Sequence, residues 1–155
     1  MAMLLATAML LAPACVAAAD IGDGANGWTF ARWGMTRAEV EAASNGVSNP
    51  TAQDNEDSVT GEQAIGAFRF QVTLEFQDDH LSEIRFAPTF PPKKCAALRG
   101  YLGDTYGRPA LEDNTGAKIS WWRDLPNANT IRYAMLDGGG CSLSYQPMSA
   151  LSIVN

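Results

Sequence analysis

The chain has 155 residues, enough for one ordinary domain, and 46% of them are hydrophobic. Its 17 acidic and 11 basic residues give a net charge of -6, and no basic run is longer than Lys93–Lys94. This composition argues against nucleic acid as a partner, because binding a polyanion needs clustered positive charge.

The first 19 residues are typical of a secretory signal peptide. They carry no charged residue, include an apolar run from Met3 to Leu11, and end in three alanines before Asp20. A membrane-spanning helix needs about 20 consecutive apolar residues, and Pro13 and Asp20 interrupt this stretch. We therefore expect residues 1–19 to be cleaved, residues 20–27 to form a flexible Gly-rich leader, and the protein to be periplasmic or secreted.

A lipid anchor at Cys15 is the alternative to simple cleavage. Ala12 stands where a lipoprotein signal has a large aliphatic residue, three positions before the cysteine, and Pro13 follows it. These departures argue against a membrane anchor through Cys15. The sequence does not define an oligomeric state.

The two cysteines of the mature chain, Cys95 and Cys141, are expected to form a disulfide. An even number of cysteines is typical of an oxidising compartment. The two lie 46 positions apart, and the chain has one histidine, His80, so the ligands of a zinc site are missing. We expect no metal and no cofactor. Closing a loop of this length predicts about 4 kcal/mol of stabilisation.

The clearest local signal is the start of a helix. Thr36 fits the N-cap position, and Glu39, three residues later, completes a capping box. Met35 and Val40 occupy the two positions of a hydrophobic staple. The Asn-Gly pair at 45–46 predicts that this helix is short.

Alternation of apolar and polar residues predicts six strands. They are Trp28–Trp33, Phe68–Gln77, Leu81–Phe86, Lys118–Arg123, Thr130–Leu136 and Cys141–Gln146. The acidic stretch at 51–62 predicts a loop or a weak edge strand. A three-residue loop, Asp78–His80, keeps the apolar faces of the second and third strands aligned, absent a bulge.

A second helix is predicted from Lys93 to Tyr106. Its apolar stripe contains Cys95, Leu98 and Leu102, and Gly107 ends it. A bond from Cys95 to Cys141 would then join this helix to the last strand.

These elements predict an α+β fold. We expect an antiparallel sheet of about six strands with two helices on one face, built from two diverged helix-plus-meander units. The expected domain spans residues 28–150, and residues 151–155 form a tail.

Residues 30–40, FARWGMTRAEV, carry a resemblance to known proteins. They resemble small periplasmic proteins of unknown function that have a Trp-Gly-Met-Ser/Thr helix start. The element order is similar to that of β-lactamase inhibitory protein and of the small lipoprotein of the outer-membrane β-barrel assembly machine. The resemblance implies a protein that presents a sheet or loop surface to another protein. It does not imply lactamase inhibition, because the second unit begins Pro91-Pro92-Lys93-Lys94 without a second Gly-Met-Thr.

No catalytic set is predicted. Hydrolytic catalysis usually needs a nucleophile with a positioned base or a pair of carboxylates with separated pKa values. His80 follows two aspartates in a turn, where a solvated role is expected. The acidic group Asp54, Glu56 and Asp57 lacks the Gly of a calcium loop and is interpreted as a solvated loop.

The adjacent tryptophans Trp121 and Trp122 give the functional hypothesis. Neighbouring residues of a strand point to opposite faces of a sheet, so one ring is in the core and the other lies outside. If Trp121 shares the inner face with Ile119, Trp122 points outward near Arg123 and is an interface anchor. The alternative is that another part of the chain covers it.

We therefore expect a non-enzymatic soluble periplasmic module. It would bind another envelope or secreted protein through an exposed sheet face, with Trp122 and Arg123 in the contact. The alternative is a periplasmic protein that binds a small ligand or a glycan on the same face.

Overall fold

A computed structural model describes residues 27–28, 30–44 and 58–148 of the chain. The helices are α1, Arg37–Ala43, and α2, Cys95–Tyr106, and a 3₁₀ turn at Pro92–Lys94 precedes α2. The strands are β1 Gly27–Trp28, β2 Ala31–Arg32, β3 Ser58–Ile65, β4 Phe68–Gln77, β5 His80–Pro88, β6 Leu111–Asp113, β7 Lys118–Asp124, β8 Asn129–Met135 and β9 Cys141–Pro147. The predicted signal peptide, leader, first-helix stop and tail lie outside the described residues, apart from Gly27.

Seven of the strands form one antiparallel sheet in the order β3-β4-β5-β9-β8-β7-β6. The fold is α+β with two helices, as the sequence predicts, but the sheet has seven strands instead of about six. The described part of the predicted first strand does not join it, because β1 and β2 pair with each other. Two edge strands take their place. One is β3, which covers the end of the stretch predicted as a loop or a weak edge strand, and the other is the three-residue β6.

The turn between β4 and β5 is shorter than predicted. It has two residues, Asp78 and Asp79, with φ of 51° and 63°, the left-handed conformation that two-residue hairpin turns favour. The predicted three-residue loop is therefore wrong. A bulge shifts the register between Glu75 and Phe76 and supplies the odd residue instead. Consequently Phe76 still pairs with Leu81, and the strands keep one apolar face.

Both helices contribute to one core on a single face of the sheet, here called the helix-covered face. Cys95, Leu98 and Leu102 of α2 and Val40 of α1 are buried in this core. Aromatic rings also fill it, among them Phe70, Phe86, Trp122, Tyr133 and Tyr145. No helix in the described ranges covers the other face, here called the open face. Nor does the described part of the chain contain a helix long and apolar enough to cross a membrane.

The predicted disulfide is present. It joins Cys95, the first residue of α2, to Cys141, the first residue of β9, with a Cα–Cα distance of 5.8 Å. The bond ties the start of the helix to the middle of the sheet, as the sequence indicates. Tyr133 of β8 holds the same end of α2, because its hydroxyl donates to the carbonyl oxygen of Cys95 at 2.9 Å.

The predicted capping box is also confirmed. The amide of Thr36 donates to a carboxylate oxygen of Glu39 at 2.8 Å, and the amide of Glu39 donates to the Thr36 hydroxyl at 3.4 Å. The segment before the helix is anchored on β5, because Leu81 donates to the carbonyl oxygen of Met35 at 2.8 Å. Gly34, which precedes Met35, has a φ of 81°, a left-handed conformation that glycine adopts without strain.

Candidate functional site

Trp122 is a core residue, and its predicted outward orientation is wrong. Its side chain is 1% exposed, and it lies opposite Ile131 on the helix-covered face. The indole Nε1–H donates to the carbonyl oxygen of Gly107, just past the end of α2, at 2.9 Å. A buried indole with its N–H satisfied cannot act as a surface anchor.

The predicted orientation depended on placing Trp121 and Ile119 on the inner face, and the register of the β7–β8 hairpin decides that placement. Four residues, Leu125–Ala128, connect the strands, and Asp124 pairs with Asn129. A turn of three residues would have placed Trp121 opposite the buried Ile131. One extra residue in a turn moves every side chain of the strand to the other face.

Trp121 is therefore the tryptophan of the open face. It is half-buried, and it lies between Leu111 of β6 and Arg132 of β8 in the register of the sheet. Ile119 and Arg123, two positions away along β7, face the same side. We call these five residues the open-face patch. Leu111 is 56% exposed. Arg123 is exposed on the same face as Trp121 and not, as expected, beside an outward Trp122.

Two cations of the open-face patch have no counter-ion among the described residues. Within the described ranges, neither Arg123 nor Arg132 makes an ion pair or a hydrogen bond through its side chain. Arg85 of β5 differs, because it contacts Glu83 at 3.0 Å and Glu75 at 3.3 Å. The hydrogen bond to Glu83, and then the charges of the two glutamates, raise the pKa of Arg85 above its ordinary value.

A shallow groove of about 400 Å³ lies on the open face beside the patch. Arg132 and Arg85 line it, and Ser144 of β9 lies between them, opposite both in the register. The Ser144 hydroxyl is buried and has no hydrogen-bond partner, and the same holds for Thr130 on β8. A buried hydroxyl without a partner is uncommon in folded proteins.

A larger hollow of about 700 Å³ lies at the far end of the sheet, near the β3–β4 turn. Its lining includes Glu62, Gln63, Arg69 and Thr89. The Thr89 hydroxyl donates to the carbonyl oxygen of Arg69 at 3.1 Å, so that polar group is already satisfied. This hollow is therefore a weaker candidate for a ligand-binding site than the groove beside the open-face patch.

The polar residues at the end of the β7–β8 hairpin have a structural role. The buried carboxylate of Asp124 accepts from the side-chain amides of Asn127 at 2.9 Å and Asn129 at 3.1 Å. Asn129 in turn accepts from the indole N–H of Trp33 at 2.8 Å. The tryptophan of the Trp-Gly-Met-Thr segment therefore fixes the described segment before α1 to this hairpin.

His80 is exposed, but it is the first residue of β5, opposite Gln77, and does not belong to the β4–β5 turn in which the sequence places it. Its Nδ1 is 2.6 Å from the carbonyl oxygen of Asp78. The acidic residues 54–57 lie outside the described residues. Among those that are described, no group of three or more His, Cys, Asp or Glu side chains could hold a metal ion.

Comparisons with known proteins add little. No family model matches the chain, and no curated protein matches it. The structure is similar to the crystal structure of a DUF4309 family protein, YjgB, from Bacillus subtilis subsp. subtilis str. 168. The TM-score is 0.45 at 15% sequence identity, over 72% of this chain and 78% of that one. A likeness of this size carries no functional argument.

Proposed function

We propose that this protein is a non-enzymatic module that binds another envelope or secreted protein through the open face of its sheet. The observation that carries the proposal is the open-face patch, where a half-buried tryptophan lies between an exposed leucine and an arginine with no counter-ion in the described ranges. Tryptophan and arginine dominate the binding energy of protein interfaces. Leu111 adds apolar surface that water would otherwise cover.

The composition of the face favours a protein partner over a sugar. Aromatic platforms for sugars usually combine several rings in one plane. On the seven strands, within the described residues, Trp121 is the one Phe, Tyr or Trp that points to the open face. Binding of a small ligand or a glycan is the alternative function, and the groove beside Arg132 is the observation that favours it. Titration of tryptophan fluorescence with envelope sugars and lipids tests that alternative.

Three further features belong to the proposal. The apolar segment at 1–19 supports export to the periplasm or beyond, and the disulfide is compatible with an oxidising compartment. The resemblance of residues 30–40 to the small periplasmic Trp-Gly-Met-Ser/Thr proteins supports a surface-presenting role. We also propose that the fold arose from two diverged units. One runs from α1 to β5 and the other from α2 to β9, and their last strands, β5 and β9, are neighbours in the sheet.

An affinity pull-down from envelope extract tests the proposed function. The baits are the oxidised mature protein, its Trp121→Ala variant and its Leu125→Ala variant. Leu125 is the matched control, because it is 70% exposed but lies in the β7–β8 turn outside the open-face patch. We expect a near-stoichiometric protein that the wild type and Leu125→Ala retain and that Trp121→Ala loses.

Two results would contradict the proposal. A partner retained equally by all three baits binds elsewhere on the molecule. If no protein is captured and a sugar or lipid quenches Trp121 fluorescence instead, the alternative function replaces it.

A further inference from the structure

On the same face of the sheet as Arg123 and Arg132 lie two hydroxyl groups for which the described residues provide no acceptor. Ser144 is 6% exposed and Thr130 is 2% exposed, and neither side-chain oxygen has a hydrogen-bond partner in the part of the chain that the structure describes. Thr130 lies opposite Gln146, two positions along β9 from Ser144, so the two hydroxyls are diagonal neighbours on one face. Each can donate a hydrogen bond that the protein itself does not use.

The arginines stand next to these hydroxyls. Arg132 lies directly opposite Ser144, and Arg123 lies directly opposite Thr130. Adjacent strands are about 5 Å apart, so both flexible guanidinium groups can reach a ligand placed over the pair of hydroxyls. Because neither arginine has a partner within the described ranges, either can swing toward a ligand without breaking a bond.

We propose that Arg132 and Ser144, with Arg123 and Thr130 beside them, bind a carboxylate side chain of the partner protein. This inference rests on the proposed function, because it names the chemistry by which the partner is recognised. A carboxylate has two oxygens that accept from one guanidinium in parallel and still accept a hydroxyl donor. Binding would satisfy the two hydroxyls and neutralise a free cation.

The charge of the surroundings favours a carboxylate over a phosphate group. Glu83 and Glu75 carry two negative charges, and Arg85, Arg123 and Arg132 carry three positive charges. These five side chains therefore have one positive charge in excess. That excess matches the single charge of a carboxylate, whereas a phosphomonoester carries nearly two. The net charge of -6 on the chain further opposes a multiply charged ligand.

The apolar end of the open-face patch predicts where the partner protein carries an apolar side chain. Trp121 and Leu111 continue the same row of the sheet away from Arg132. A partner surface that places a glutamate on Arg132 would therefore place a neighbouring side chain on Trp121. We expect the partner to present an acidic side chain beside a leucine-like one in space.

NMR with blocked peptides tests this site without the natural partner. The probe is acetyl-Leu-Glu-Leu-amide, and the matched control probe is acetyl-Leu-Gln-Leu-amide. We expect the glutamate peptide to shift the Nε–Hε resonance of Arg132 and the amides of β8 and β9 saturably, with an affinity about tenfold higher than that of the glutamine peptide.

Three variants make the test specific. Arg132→Gln should weaken binding of the glutamate peptide about tenfold, while Arg108→Gln, an exposed arginine between α2 and β6, should leave it unchanged. Ser144→Ala should weaken binding but leave the melting temperature equal or higher, because it removes a hydroxyl that has no partner in the free protein. A hydroxyl needed only for folding would lower the melting temperature.

The inference is overturned if the two peptides shift the same resonances equally. It is also overturned if Arg132→Gln and Arg108→Gln behave alike, or if no shift is seen at about 20 mM peptide, well above the millimolar Kd expected of such a small contact. The pull-down distinguishes failure of the carboxylate site from failure of the proposed function. A partner lost by Trp121→Ala without any glutamate effect refutes the carboxylate site alone, and a glutamate effect without any captured protein refutes the proposed function alone.

Discussion

The assignment of the two tryptophans to opposite faces can be tested by their effects on stability. We expect Trp122→Ala to cost far more free energy of unfolding than Trp121→Ala. Trp122 is 1% exposed and donates to Gly107, whereas Trp121 is half-buried on the open face. A strand shifted by one residue would reverse this order.

The magnitude follows from the buried area. Burying an indole removes about 200 Å² from water, which at about 25 cal/mol per Å² is about 5 kcal/mol. Truncation of buried aromatic residues in protein cores costs about 3–5 kcal/mol, since the surroundings relax only in part. For Trp122→Ala we therefore expect a loss of about 4 kcal/mol. Trp121 buries about half as much area and leaves no enclosed cavity, so its truncation should cost about 2 kcal/mol or less.

Urea denaturation of the oxidised protein at neutral pH measures both costs. Because small domains are stable by about 5–15 kcal/mol, Trp122→Ala should unfold at a much lower urea concentration and still show a cooperative transition. Leu125→Ala serves as the control for an exposed apolar residue and should change the free energy of unfolding by about 0.5 kcal/mol or less. Equal losses for the two tryptophan variants, or a larger loss for Trp121→Ala, would refute the register of β7 and with it the open-face patch.

Three other outcomes are expected. Reduction of the Cys95–Cys141 bond should lower the free energy of unfolding by about 4 kcal/mol, and identical urea curves with and without reductant would contradict the bond. The Thr36 amide and hydroxyl hold the pKa of Glu39 below its ordinary 4.5, so the stability that Glu39 contributes is present above the unfolded-state pKa and is lost as the pH falls through the folded-state pKa. The stability difference between wild type and Glu39→Gln should therefore shrink below pH 4.5, and a constant difference would argue against the capping box. Burial raises the pKa of Tyr145 well above 10.0, so its stabilising effect is present below the unfolded-state pKa and is lost as the pH rises further. Urea titrations above pH 10 should show a steeper loss for wild type than for Tyr145→Phe, and parallel losses would speak against a buried hydroxyl.

Local signals in the sequence predicted the features that depend on neighbouring residues. The capping box needs only Thr36 and Glu39 three residues apart, because both hydrogen bonds close within one turn of helix. The stripe of α2 and its end at Gly107 follow in the same way from spacing and from the φ of 79° that glycine accepts. The disulfide prediction assigned Cys15 to the expected signal peptide, which left two cysteines and therefore one pairing.

The sequence did not predict the number of strands. The segment 58–65 has few large apolar residues, yet β3 pairs along its whole length with β4, because backbone groups pair regardless of side chain. Residues 28–33 alternate like a strand of the sheet but form a separate small hairpin. Tertiary pairing overrides local pattern in both places.

The sequence by itself determined the fold class, the disulfide and the start of α1, because each depends on local spacing or on composition. The tertiary structure alone decided which tryptophan is exposed. That choice depends on the register set by the four-residue β7–β8 turn, in which Ala128 adopts a φ of 50°. Since a strand alternates with a period of two, a one-residue difference in the turn exchanges core and surface along all of β7. It also places Trp121 beside Arg132 over two unpaired hydroxyls, a juxtaposition of three strands that no single stretch of the chain encodes.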